Sequence, residues 1–107
     1  MKNSGPPDHL SKEGKRIWKS LVEEYGINDA GGLAILKAGL EAFDRFTGAR
    51  LAIEKEGMTI CDRFGVPKPH PLLACERDAR AQWLAALKAL NLDLEPLRDG
   101  PGRPGGR

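Results

Sequence analysis

The chain has 107 residues, enough for one small domain, and its 17 basic and 15 acidic residues leave a net charge of +2. This balance is too even to indicate a nucleic-acid partner by itself, so the distribution of the charges along the chain must decide. The longest apolar runs span only a few residues, and we therefore predict neither a membrane segment nor a membrane partner.

The two ends of the chain are rich in proline, glycine and charge and lack apolar periodicity. We therefore predict a flexible arm over residues 1–9, a helical domain over 10–94 and a disordered tail over 95–107. A core of roughly 80 residues is marginal for a monomer, which favours self-association. Cys61 and Cys75 form no CxxC pair, a pattern typical of a reducing cytosol.

The first predicted helix follows Ser11, a good N-cap, and ends at Gly26. One face carries an apolar stripe at helical spacing, formed by Trp18, Leu21, Val22 and Tyr25. The opposite face carries a basic stripe formed by Lys12, Lys15, Arg16 and Lys19. Clustered positive charge of this kind can contact DNA phosphates, although an ordinary solvated helix face has the same composition.

A long second helix is predicted from Asn28 or Asp29 to Glu56, with Gly57 as its stop. One apolar strip consists of Leu33, Leu36, Leu40, Phe43 and Leu51, and a second of Ile35, Ala42, Phe46, Ala49 and Ile53. Together they form an apolar arc wider than one neighbouring helix requires. A third helix or a second copy of the chain would cover the second strip, which makes its five residues candidates for an oligomer interface.

Residues 58–69 predict a short β-hairpin or an extended loop, with a turn at Asp62–Gly65. A third helix is predicted from Pro71 to Leu90 and ends at Asn91. Its apolar face consists of Leu72, Cys75, Ala79, Trp83, Ala86, Leu87 and Leu90. The predicted fold is thus mainly α: a three-helix module with a long central helix, a hairpin or loop between helices two and three, and self-association.

The residues that catalysis needs are scarce. The sequence has no GxxxxGK[ST] phosphate-binding loop. Cys61, His70 and Cys75 lack the paired spacing of a zinc site and have no fourth ligand. We therefore predict a protein that is not an enzyme and has no catalytic residue, metal or cofactor.

Two further segments are candidates for DNA binding. One is the loop that carries Arg63 and Lys68. The other is the tail with Arg98, Arg103 and Arg107, whose Gly-Arg-Pro sequence resembles the core of an AT-hook but lacks that motif's second flanking arginine. A flexible solubilising tail is the alternative interpretation.

Three segments resemble the small terminase subunits of tailed bacteriophages. PPDHLSKEGKRIWKSLVEEYGI at Pro6–Ile27 is similar to the Pro-Pro arm and first helix of that family. IEKEGMTI at Ile53–Ile60 is similar to the end of its second helix, and KPHPLLACERDARAQWLAALKALNLDLEP at Lys68–Pro96 to its K-P-x-P-x-L segment and last helix. The resemblance covers Pro6 to Pro96 through many weak positions. One departure is that the sequence contains no clear helix-turn-helix.

The resemblance implies a non-enzymatic subunit that assembles into a ring, recognises double-stranded phage DNA for packaging and regulates the large terminase subunit, the ATPase and nuclease. It also implies a location in the cytoplasm of the infected bacterium. The alternative function is a helical protein-interaction adaptor that does not bind nucleic acid. Neither function follows from composition or periodicity.

Overall fold

The computed structural model describes residues 5–92 of the chain. The elements follow in the order helix α1 (Lys12–Tyr25), helix α2 (Ala30–Glu56), strand β1 (Thr59–Cys61), strand β2 (Pro67–Pro69) and helix α3 (Leu72–Leu90). The strands form an antiparallel two-stranded hairpin. The protein is therefore mainly α, with a long central helix and a hairpin between the second and third helices, which confirms the predicted architecture. The predicted tail over 95–107 lies outside the described residues.

Side chains and glycines predicted to cap the helices do so in the structure. The Ser11 Oγ accepts the Gly14 N–H at 2.9 Å, and an Asp29 carboxylate oxygen accepts the Gly32 N–H at 2.8 Å. Gly26 ends α1 in the left-handed conformation, with a φ of 62° that glycine adopts without a steric penalty. These local interactions fix where α1 starts and stops and where α2 starts.

The apolar stripe of α1 packs against the first apolar strip of α2. Trp18 is 4% exposed, and Leu36 and Leu40 are fully buried in the same cluster, which Leu10 and Ile27 complete. The amphipathic spacing of both helices therefore produces the burial that it predicts.

Leu51 departs from the predicted strip, because 62% of it is exposed to solvent. The first residues of α1 lie beside Asp44, whose carboxylate accepts the backbone N–H of Ser11 at 2.8 Å and the Ser11 hydroxyl at 2.6 Å. Leu51 lies about two helical turns beyond Asp44, where α1 no longer covers α2.

Helix α3 packs along α2. The two helices come close together at Gly39, where a Cβ atom would lie 2.6 Å from the Cβ of Ala86 and 3.3 Å from a ring carbon of Trp83. The Trp83 ring also packs edge-on against Phe43, with ring centroids 5.4 Å apart. A glycine and an alanine thus allow the two helix backbones to approach closely.

The second apolar strip of α2 lies on the same side as Gly39, because its residues continue from position 39 at helical spacing. Ala42, Ala49 and Ile53 are buried within the single chain, whereas Ile35 and Phe46 are partly buried. The sequence allows either a third helix or a second copy of the chain to cover this strip. In the structure, the chain itself buries these three residues. An oligomer interface would therefore have to use residues other than the three buried ones, and self-association stays a prediction.

His70 occupies the junction between the hairpin and α3. The residue is 4% exposed, its Nδ1 accepts the Leu72 N–H at 3.0 Å, and its Nε2 lies 2.6 Å from the Glu56 carboxylate. The imidazole therefore caps the start of α3 and ties it to the end of α2. Helix α3 begins at Leu72, one residue after the predicted start at Pro71.

The N-terminal segment also contacts α2. Nε2 of His9 lies 2.7 Å from the Glu41 carboxylate, and the next residue, Leu10, is 4% exposed. The last residues of the predicted flexible arm thus have defined contacts, because a buried leucine directly follows them. None of the helices in the described part of the chain is long and apolar enough to cross a membrane.

Candidate nucleic-acid interface

The basic stripe of α1 faces away from the core. Gly14 lies against the Asp44 carboxylate and Trp18 is buried, so the side of α1 that these residues share packs on α2. The opposite side carries Lys12, Arg16 and Lys19, all exposed, while Lys15 at its edge is half-buried. The structure therefore brings the four predicted residues together on one helix.

An acidic neighbour partly neutralises this basic face. Nε of Arg16 donates to the Glu13 carboxylate at 3.1 Å, and Nη2 contacts the other carboxylate oxygen. The hydrogen bond from Arg16 lowers the pKa of Glu13, and the same bond raises the pKa of Arg16. Among residues 5–92, no acidic side chain forms an ion pair with Lys12, Lys15 or Lys19. These three ammonium groups are available to an external anion.

The hairpin tip, residues 62–66, contains the second predicted DNA-binding segment and is organised by Asp62. One carboxylate oxygen of Asp62 accepts the backbone N–H of Phe64 at 2.8 Å and that of Val66 at 3.0 Å. The Asp62 carbonyl accepts the N–H of Gly65, which has a φ of 79°. Asp62 therefore closes the turn, as aspartate at such positions commonly does.

Arg63 and Lys68 lie at and beside this tip. The Arg63 guanidinium sits 5.1 Å from the centroid of the Phe64 ring, a cation–π distance. Nζ of Lys68 is 3.8 Å from the Asp62 carboxylate, and 58% of its side chain is exposed. The sequence predicted these two basic residues but not Phe64, because an aromatic residue in a loop gives no periodic signal.

The remaining predicted residues, Arg98, Arg103 and Arg107, lie outside the described residues. Within residues 5–92, no hydrogen bond or ion pair joins the basic face of α1 to the hairpin tip. The structure therefore presents two separate candidate surfaces.

A cleft of about 560 Å³ lies between the end of α1, the start of α2 and the end of α3. Its ionisable side chains are Tyr25 and Asp29, and Asp29 is already the N-cap of α2. Elsewhere in residues 5–92, no three histidine, cysteine or acidic side chains are grouped so that they could hold a metal ion.

No protein-family model, curated protein or solved structure matches the chain. The function is therefore inferred from the geometry of these surfaces and from the segments that resemble small terminase subunits.

Proposed function

We propose that the chain is a small terminase subunit: a non-enzymatic, self-assembling protein that binds double-stranded phage DNA for packaging and regulates the large ATPase and nuclease subunit. It would act in the cytoplasm of the infected bacterium. The DNA-binding part of this proposal is based on the basic face of α1, where three lysines have no acidic partner among residues 5–92. The resemblance in the sequence supports the packaging role.

Contact with phosphates is the chemistry that this face fits best. Lysine and arginine on a straight helix face can follow a DNA backbone, and each phosphate they neutralise releases condensed counterions. Such contacts carry no sequence information, so they would position the protein and leave the reading of bases to other residues.

The DNA-binding proposal is tested by the double variant Lys15→Ala/Arg16→Ala. Salt dependence is given by the slope of the logarithm of the binding constant against the logarithm of salt concentration. We expect this slope to be shallower by about 1 to 2 in the variant, because up to two phosphate contacts are lost. Fluorescence anisotropy with a labelled duplex over a salt series measures the slope.

The matched control is Arg77→Ala/Lys88→Ala on the exposed side of α3. This control likewise removes two positive charges, one arginine that pairs with a neighbouring acid, here Asp78, and one lysine, which is exposed whereas Lys15 is half-buried. Its slope should stay near that of the wild type. Equal slopes for the wild type and the α1 variant would exclude α1 from the DNA surface, and equal losses in both variants would indicate a non-specific effect of net charge.

Self-assembly is tested separately by native mass spectrometry or light scattering at micromolar concentration. We expect a species several times the mass of one chain, because the proposed role needs a ring. A strict monomer would contradict the proposal. An oligomer with no affinity for DNA at low salt would instead identify a protein-interaction adaptor.

A further inference from the structure

Phe64 lies at the hairpin tip and is 76% exposed, more than Leu51, Met58, Val66 or Leu84, the other large apolar residues on the described surface. Single exposed apolar residues are common on proteins. Phe64 differs because the turn that presents it is held in place. Its own N–H and that of Val66 are both bonded to one oxygen of Asp62, so the backbone at the ring is fixed before any partner arrives.

The charges around the Phe64 ring favour an anionic partner. The Arg63 guanidinium lies over the ring, and Lys68 projects from the adjacent strand. The carboxylate of Asp62, in the same turn, accepts two backbone N–H groups and lies beside Lys68. One basic group therefore contacts the ring and a second lies on the adjacent strand, while the acid of the tip is bonded within the hairpin.

The outer edge of the hairpin at β2 does not suit a partner protein that adds a strand. Pro67 and Pro69 lie opposite Cys61 and Thr59, whereas the backbone N–H of Asp62 and of His70 bond across the hairpin at alternate positions. By the alternation of antiparallel pairing, the two prolines occupy the positions whose nitrogen faces outward. Proline has no N–H to offer there, so this edge lacks the donors that strand addition uses.

We propose that the hairpin tip is a second DNA contact, in which the Phe64 ring enters between adjacent base pairs as a wedge and Arg63 and Lys68 bind the flanking phosphates. Apolar side chains on DNA-bending proteins act in this way, usually from the minor groove, and partly unstack the base step that they enter. This inference rests on the proposed DNA-binding function and adds a local deformation of the duplex to it.

The test uses the full chain and a duplex containing 2-aminopurine, whose fluorescence rises when its base is unstacked. At saturating wild-type protein we expect this fluorescence to increase. Phe64→Ala should abolish the increase and weaken binding roughly 5- to 100-fold, the range expected for losing one aromatic contact with bases. Phe64→Leu should retain much of the increase, since leucine also serves as a wedge.

The matched control is Met58→Ala at the base of the hairpin. Met58 is 67% exposed, so this change also removes an exposed apolar side chain, and it should leave both affinity and fluorescence unchanged. Circular dichroism should show the same helix content for all variants, because neither side chain belongs to the core.

The possible results distinguish a failure of the wedge from a failure of the proposed DNA-binding function. In one outcome, the wild type binds DNA, its salt slope falls in the α1 variant, and Phe64→Ala binds DNA and unstacks the base as well as the wild type does. The wedge is then overturned and the proposed function stands. If Phe64→Ala changes only the mass of the assembly, the tip is a protein contact and the wedge is again overturned. If the wild type does not bind duplex DNA at low salt, both are overturned.

Discussion

Replacing Leu40 by alanine is expected to lower the free energy of unfolding by about 2–5 kcal/mol, the range measured when a buried leucine is truncated. Leu40 is fully buried, in the cluster that joins α1 to α2 through Trp18 and Leu36. Its loss leaves a cavity that rigid helices can fill only in part. Small domains have roughly 5–15 kcal/mol of stability in total, so the variant should denature at a much lower urea concentration.

Leu51→Ala is the control for this prediction, since it makes the same change on the same helix. Leu51 is 62% exposed, and surface substitutions of this kind usually change stability by no more than about 0.5 kcal/mol. Urea denaturation followed by circular dichroism measures both variants. Similar losses at Leu40 and Leu51 would show that α1 does not cover α2 as described, or that another molecule covers Leu51.

Gly39→Ala is expected to destabilise the protein by about 1–3 kcal/mol, the range for overpacking a close-packed interior. The added methyl group would lie 2.6 Å from the Cβ of Ala86, which is attached directly to the α3 backbone and cannot rotate away. The two helices would have to separate. Thermal denaturation should therefore show a lower melting temperature.

Gly48→Ala, on the same helix, should have the opposite effect. Nothing lies within 4 Å of a Cβ placed at Gly48, so alanine there should stabilise the helix by about 0.5–1 kcal/mol through its better helix propensity. Removing the opposing methyl group with Ala86→Gly should offset part of the damage in the Gly39→Ala background, and a double-mutant cycle measures that coupling. An increase in stability for Gly39→Ala would contradict the close approach of α2 and α3.

Features that depend on neighbouring residues could be predicted from the sequence. Ser11, Gly26 and Asp29 act within one helical turn of the ends that they cap, so residue type and position suffice to place them. The turn from Asp62 to Gly65 is local in the same way. The basic face of α1 also follows from spacing alone, because a helix places residues three and four apart on one side.

Contacts between distant parts of the chain could not be predicted in this way. The Asp44 carboxylate holds Ser11 across 33 residues and Glu56 holds His70 across 14, and nothing in the order of residues links either pair. Gly39 has no local signature that distinguishes it from Gly48, although one faces Ala86 and the other faces open space. The exposure of Phe64 likewise could not be predicted from periodicity, because it depends on the conformation of the turn in which the residue lies.

The two interfaces of α2 differ in kind. Helix α3 runs close to the α2 backbone, whereas α1 approaches that backbone at fewer positions and is joined to α2 through large buried side chains, in the cluster of Trp18, Leu36 and Leu40. A molecule that binds only the folded form of a protein stabilises that form by mass action. A polyanion bound by the lysines of α1 would therefore favour the state in which this buried cluster is closed, although it touches only the opposite face of the helix.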